Sequence, residues 1–245
     1  MSELLEKVFQ GMEMKDKRIL EAGCGAGNTT LFLLERNAAM VLAVSNHPDD
    51  LEHCRKIIPG KYRGNVELVN NDLRDLKQVE GSSVDIVTAH FLFNVVNPFD
   101  ADTILCGFNQ ALKPGGLLVV IDYAPFDSFV DDTSFIQRDL WNIENAISVL
   151  LAGKKMYHEY PMDWLSEHIE IAGFKINEVS IPLQRVEWSQ VLLMGHIKET
   201  RRRLKLLKDE NHQLALSKKL RVLTQQVENN VVCSGQVYSI IAEKK

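Results

Sequence analysis

Ile19-Leu20-Glu21-Ala22-Gly23-Cys24-Gly25-Ala26-Gly27-Asn28-Thr29-Thr30 is the stretch whose reading decides the fold. Apolar residues run into glycines at alternate positions, and the chain then turns helical from Thr29 to Leu34. That order is a strand, a tight turn and a helix N-terminus. Residues without a Cβ accept positive φ and let a ligand come close to the backbone. The following helix aims unpaired N–H groups and the positive end of its dipole at the same spot. The spacing Glu-x-Gly-x-Gly-x-Gly is not the dinucleotide fingerprint Gly-x-Gly-x-x-Gly. A glycine-rich turn in some other α/β protein is the competing reading.

Working outward, the continuous apolar run at 40–44 suits a strand covered on both faces. Further strands are expected at 66–69, 84–89 and 117–122, with helical patterns at 49–57 and 103–112 between them. Lys113-Pro114-Gly115-Gly116 stops the last of these helices. Short apolar strands alternating with helices mean right-handed crossovers. The expected fold is α/β: a doubly wound, mostly parallel seven-stranded sheet with helices on both faces and helical insertions after strands five and six. The insertions carry helical spacing at 131–151, with Phe135, Leu140, Ile143, Ile147 and Leu150 near one face, and at 189–229, broken near 209–213. The whole chain, 1–245, reads as a single domain: an N-terminal helix in 1–16, a cofactor-binding core at 17–125, helical lids at 126–160 and 187–230, and a last strand at 231–245.

At 245 residues, 45% apolar and 25% charged, the chain can bury a sizeable core. A net charge of −5 exerts no general pull toward nucleic acid or anionic membrane. The balance is uneven, because residues 187–228 hold nine Lys/Arg against five acids, leaving this segment at +4 and the rest at −9. Arg201-Arg202-Arg203 lies on a helix whose Leu193, Ile197, Thr200, Leu204 and Leu207 follow a 4-3-4-3 spacing, so the three arginines point in different directions and read as a solvated face. The helices of 187–230 either cap the site or pair two copies into a homodimer. Cys24, Cys54, Cys106 and Cys233 are scattered without a C-x-x-C pair, so neither a zinc site nor a disulfide framework is expected. The N-terminus has no signal-peptide pattern and no run of about 18 apolar residues occurs, so the reading is a cytoplasmic protein without a membrane segment.

With an acid two positions before the first glycine, the opening stretch resembles motif I of the class I S-adenosylmethionine (SAM) dependent methyltransferases. The resemblance covers roughly residues 17–186 and 231–243. It implies SAM as cofactor, with the turn of Glu21, Gly23, Cys24, Gly25 and Gly27 passing under its methionine part. The family's ribose-holding acid at the end of strand two is replaced here by Ser45, followed by Asn46. A hydroxyl can bond one ribose oxygen but lacks the charge-assisted, bidentate grip of a carboxylate. Asp72 and Leu73, after strand three, match the family's adenine site; a turn or cap role is the alternative for Asp72. Ala89 ends strand four over the donor.

His90 follows Ala89 at the carboxyl edge where such sheets bind ligands, and an unperturbed pKa near 6.5 suits a general base. A wall or hydrogen-bond anchor is the plainer role. Tyr123 is the second catalytic candidate, since an aromatic face near a sulfonium gains from cation–π attraction. Trp141, Tyr157 and Tyr160 are the candidates for binding substrate, while other aromatics after strand five are core. The resemblance implies methyl transfer to a small-molecule acceptor by direct in-line displacement, releasing S-adenosylhomocysteine. Three alternatives stand beside it: use of another sulfonium carbon with release of methylthioadenosine, an RNA methyltransferase, and a non-catalytic SAM-binding module. Against RNA, strand four ends in Ala89-His90-Phe91-Leu92 where an Asn/Asp-Pro-Pro-aromatic tetrapeptide would stand.

Overall fold

The computed structural model describes residues 2–126 and 134–245. The expected helix start at 131–133, and residues 127–130 of the first insertion, lie outside the described residues. The strands are β1 (Arg18–Ala22), β2 (Met40–Ser45), β3 (Val66–Asn70), β4 (Val84–His90), β5 (Leu112–Tyr123), β6 (Phe174–Leu183), β7 (Val186–Glu187), β8 (Cys233–Ser234) and β9 (Val237–Lys244). The helices are α1 (Ser2–Val8), α2 (Asn28–Glu35), α3 (Pro48–Ile57), α4 (Pro98–Ala111), α5 (Ser134–Ala152), α6 (Met162–Ile171), α7 (Gln190–Leu204) and α8 (Glu210–Asn229). The fold is α/β, with a seven-stranded sheet in the order β3-β2-β1-β4-β5-β9-β6. The chain divides into two compact units: residues up to Asp122 with Pro161–Pro182 and Tyr238–Lys245, and Tyr123–Tyr160 with Leu183–Val237.

In the first unit, β1 pairs in parallel with β2 on one side and β4 on the other, β2 with β3, and β4 with β5. The chain therefore winds outward from β1 to β3, returns to β4 and winds the other way. That reversal leaves a crevice at the carboxyl ends of β1 and β4, where open α/β sheets take ligands. Central strands carry apolar residues on both faces because helices cover both: Ile19, Leu20, Val41, Ala43, Val44, Val87 and Ala89 are fully buried. Each buried Leu or Val contributes about 1.5–3 kcal/mol.

Helix ends follow local chemistry. Pro48 opens α3 with Asp49 and Asp50 in its first turn, toward the positive dipole end. Helix α4 starts five residues before the expected Thr103, because the Asn97 side chain accepts from Phe99 N–H at 3.1 Å and Pro98 pre-sets the first turn. Strand β5 likewise begins at Leu112, earlier than the expected 117.

The second unit is a helical cluster. Ile136, Leu140, Ile143 and Ile147 of α5 pack with Leu193, Ile197 and Leu204 of α7 and Leu220, Leu223 and Val227 of α8. The 4-3-4-3 stripe expected on α7 is buried throughout, and the helix pair breaks between Leu204 and Glu210. On α5 the buried face differs from the expectation: Ile136 takes the place of Phe135, and Leu150 is exposed. Phe135 instead lies under the Arg138 guanidinium, 4.4 Å from the ring centroid.

Candidate active site

The turn after β1 is held by its own backbone. Gly23 and Cys24 N–H groups donate to Val44 O at 2.9 and 3.0 Å, tying the turn to β2, and Gly27 N–H donates to Cys24 O at 2.8 Å. Two glycines are needed for different reasons. A Cβ on Gly27, whose φ is +84°, would lie 2.8 Å from Cys54 Cα, so helix α3 excludes any side chain there. A Cβ on Gly25, φ +47°, would meet nothing within 4 Å, so the backbone is bare toward open space. Gly27 then caps α2, whose first N–H groups point out of the sheet edge.

Beneath the turn lies a buried polar chain. Glu21 is 2% exposed, and burial pushes its carboxyl up to about 8. Thr30 donates its hydroxyl to Glu21, and its oxygen is 3.3 Å from Cys54 Sγ. Hydrogen bonding to Cys54, then burial, hold the Cys24 thiol protonated.

Around the turn, the strand ends bring the remaining donor-site residues to one edge. Ser45, buried at the end of β2, donates its hydroxyl to Asp50 Oδ2 at 2.9 Å and accepts from His47 N–H at 3.1 Å. A carboxylate therefore does stand at the strand-two position, supplied by α3 five residues after the serine. Asn71 N–H donates to Ser45 O at 3.2 Å, and its side-chain Nδ2 is buried without a partner. Asp72 grips Arg74 with both oxygens, and these hydrogen bonds hold its carboxyl below the usual range. Each oxygen accepts two of these bonds, Oδ1 from the Arg74 backbone N–H and Nε, Oδ2 from Nε and a terminal guanidinium nitrogen. Leu73 follows at the same edge, Asn46 is exposed, and Ala89 is buried opposite Ala22.

His90 ends β4 with Nδ1 2.9 Å from Thr29 Oγ1, which links the strand to the helix after the glycine turn. Burial lowers its pKa to about 4, so the ring is neutral at pH 7. Its Nε2 is buried and has no partner. Phe91 beside it has φ +50°, a left-handed conformation that costs about 1–3 kcal/mol and that the surrounding structure imposes. A neutral imidazole with one nitrogen free can accept or donate a single hydrogen bond.

Tyr123, Trp141, Tyr157 and Tyr160 belong to the second unit. Trp141 and Tyr157 stack at 4.7 Å with planes 11° apart, and Tyr123 meets Trp141 edge-on at 5.8 Å. Tyr160 is buried beside His158, with centroids 6.2 Å apart. Thr29, Thr30 and Asp50 carry no role in the sequence reading, whereas Asn71 belongs to the Asn71-Asp72-Leu73 stretch matched to the adenine site. Asp50 had a signal, as the second acid in the first turn of a helix opened by proline after a strand that lacks its acid.

The edge fits a sulfonium nucleoside in three respects: bare backbone at Gly25, a helix N-terminus toward a carboxylate, and unpartnered nitrogens on Asn71 and His90. Residues 19–116 match the family model described as a methyltransferase domain. The chain is 27% identical over 171 residues to carboxy-S-adenosyl-L-methionine synthase of Shewanella sediminis (strain HAW-EB3), covering 65% of this chain and 69% of that one. It is 32% identical over 119 residues to the tRNA N(3)-methylcytidine methyltransferase trm140 of Schizosaccharomyces pombe (strain 972 / ATCC 24843), covering 46% of this chain and 38% of that one. The matches thus span from 38% to 69% of the length of these curated relatives. Among solved structures, the YcgJ protein of Bacillus subtilis superposes with a TM-score of 0.63 at 15% identity, covering 100% of this chain and 98% of that one. Residues 19–116 thus carry a methyltransferase domain, and the fold is shared with the solved structure.

Proposed function

We propose that the chain transfers the methyl group of SAM to a small-molecule acceptor. SAM supplies a methyl carbon already activated by its sulfonium, so the protein's task is alignment and exclusion of water. The observation that carries this reading is the bare Gly25 backbone beside the α2 N-terminus at the carboxyl edge of β1. In this reading the turn of Glu21, Gly23, Cys24, Gly25 and Gly27 holds the methionine part. Asp50, oriented by Ser45, accepts from the ribose, with Asn46 alongside. Asn71, Asp72 and Leu73 hold the adenine, and Ala89 forms the floor. His90 acts as a neutral hydrogen-bonding anchor through Nε2, oriented by Thr29. Tyr123, with Trp141, Tyr157 and Tyr160 of the helical segment 126–160, recognises the acceptor, without nucleic acid, and the 187–230 helices pair two copies.

Incubation with SAM and a metabolite extract, followed by mass spectrometry, tests this. S-Adenosylhomocysteine together with an acceptor 14 mass units heavier is expected, one CH₂ gained. Methylthioadenosine in its place would sink methyl transfer. Sedimentation velocity showing only monomer would remove the pairing.

The likeness to carboxy-S-adenosyl-L-methionine synthases favours a second reading, in which the S-methyl carbon of SAM exchanges a proton for a carboxyl group released by a carboxylate donor in the extract. The same incubation would then return a heavier sulfonium nucleoside and no S-adenosylhomocysteine.

A further inference from the structure

Helix α5 is buried along two neighbouring stripes, and only one of them is apolar. Ile136, Leu140, Ile143 and Ile147 form the core of the second unit. The adjacent stripe carries Gln137, Trp141, Glu144 and Ser148, at 1%, 5%, 4% and 7% exposure. Spacings of four, three and four place these on one face.

Several polar atoms of this stripe lack partners. Among the described residues, Gln137 has neither a donor for its Oε1 nor an acceptor for its Nε2. Glu144 accepts from the Thr200 hydroxyl at 2.8 Å on Oε1, and His196 Nδ1 lies 3.7 Å from that same oxygen. Its Oε2 is buried and unpaired. The indole Nε1 of Trp188 is also buried and unpaired. Native interiors satisfy nearly all such groups, and half-satisfied networks are costly. Three of them in one small cluster mark a missing partner.

The rings around them define that partner's charge. Trp141 stacks on Tyr157, Tyr123 meets Trp141 edge-on, and Tyr123 and Trp188 lie nearly parallel at 6.4 Å. Burial, the Glu144 charge and a hydrogen bond to the Glu144 carboxyl push the Tyr157 phenol above its ordinary value, so it stays a hydroxyl. Aromatic faces and a carboxylate oxygen attract a cation and repel an anion. The amide of Gln137 can both donate and accept, which suits a neutral polar group carried on the same molecule.

We propose that Gln137, Trp141, Glu144, Tyr157 and Trp188 form a binding site for a small molecule bearing an alkylammonium group. It rests on the transferase reading above and assigns the acceptor's chemical class. Glu144 Oε2 meets the cation, the rings cover its alkyl groups, and Gln137 reads the adjoining polar atoms.

Calorimetric titration of the full chain compares choline with its neutral isostere 3,3-dimethylbutan-1-ol, and SAM is titrated separately into the same protein. Choline is expected to bind at least about tenfold tighter than the isostere. Glu144→Gln should cost choline about tenfold or more while leaving the isostere and SAM unchanged. Unchanged isostere and SAM titrations of Glu144→Gln serve as its folding control. Equal binding of choline and isostere, no choline binding at millimolar concentration, or an unchanged Glu144→Gln affinity each overturns the proposal. Loss of SAM binding alone would instead sink the transferase reading, so the two failures are distinguishable.

Discussion

The glycine turn of the first unit and the polar stripe of the second are built from different material. At the turn, the ligand-facing groups are backbone: the first N–H groups of α2 and a bare surface at Gly25. On α5, the corresponding groups are side chains of Gln137, Trp141 and Glu144, set on a helix whose backbone is satisfied internally. A backbone site is intolerant of shape and indifferent to most side-chain chemistry. A side-chain site is the reverse.

The sharpest way to break this comparison is at the turn. Gly27→Val would force a Cβ to within 2.8 Å of Cys54 Cα at a φ of +84°, and destabilisation of about 3 kcal/mol or more is expected, read as a lowered melting midpoint. Gly25→Val meets no atom, so circular dichroism should be retained while calorimetric SAM affinity falls at least about a hundredfold. Retained SAM affinity in Gly25→Val would show that the turn is not the site.

The buried groups near the turn make stability depend on pH in opposite senses. The folded state keeps the Glu21 proton up to about 8, whereas an unfolded carboxyl loses it near 4.5. Stability from this group is complete below pH 4.5 and falls by about 1.4 kcal/mol per unit as pH rises toward 8. His90 works the other way: its folded pKa of about 4 lies below 6.5, so its contribution is complete above pH 6.5 and is lost as pH falls toward 4. Denaturant melts across pH 4 to 9 should show a maximum between these limits. Glu21→Gln should flatten the alkaline side only, and an unchanged alkaline slope would refute the buried protonated carboxyl.

Asp50→Asn sharpens the comparison, because it changes a side chain at an otherwise backbone site. The Ser45 hydroxyl keeps an acceptor, but the charge is gone, and SAM affinity is expected to fall about tenfold, roughly 1.4 kcal/mol. An unaltered affinity by calorimetry would place the ribose contact elsewhere. In the second unit, Thr200→Val removes a hydroxyl donor to Glu144 Oε1 and should cost about 1–3 kcal/mol in thermal stability without altering SAM affinity. The smallest effect is expected from Arg202→Ala. Its 2.8 Å pair with Glu199 is solvent-exposed, and a melting curve should not move measurably.

This difference in material also explains what could be read from the chain. Glycines at alternate positions have few other uses, so the turn, the doubly wound sheet and the methyltransferase resemblance were legible from residues 19–30 and the alternation beyond them. The α7 stripe was legible for the same reason: a period repeated over four turns. The α5 stripe was not, because Gln137 and Glu144 look like solvent-facing residues until the helix is packed on two sides. Asp50 was missed because an acid in a first helical turn has an adequate local explanation, and only the fold brings it to Ser45. The start of α4 was overlooked for want of attention to Asn97-Pro98, a signal that was present.

The position of β9 bears on how the protein is made. This strand, drawn from the last residues of the chain, lies between β5 and β6 in the sheet. Until Val237–Lys244 emerges from the ribosome, the growing polypeptide has two strands whose edges await the same partner. Those edges are open templates for pairing with other chains during synthesis. Loss of Val237–Lys244 would therefore leave a gap inside the sheet and not a shortened edge.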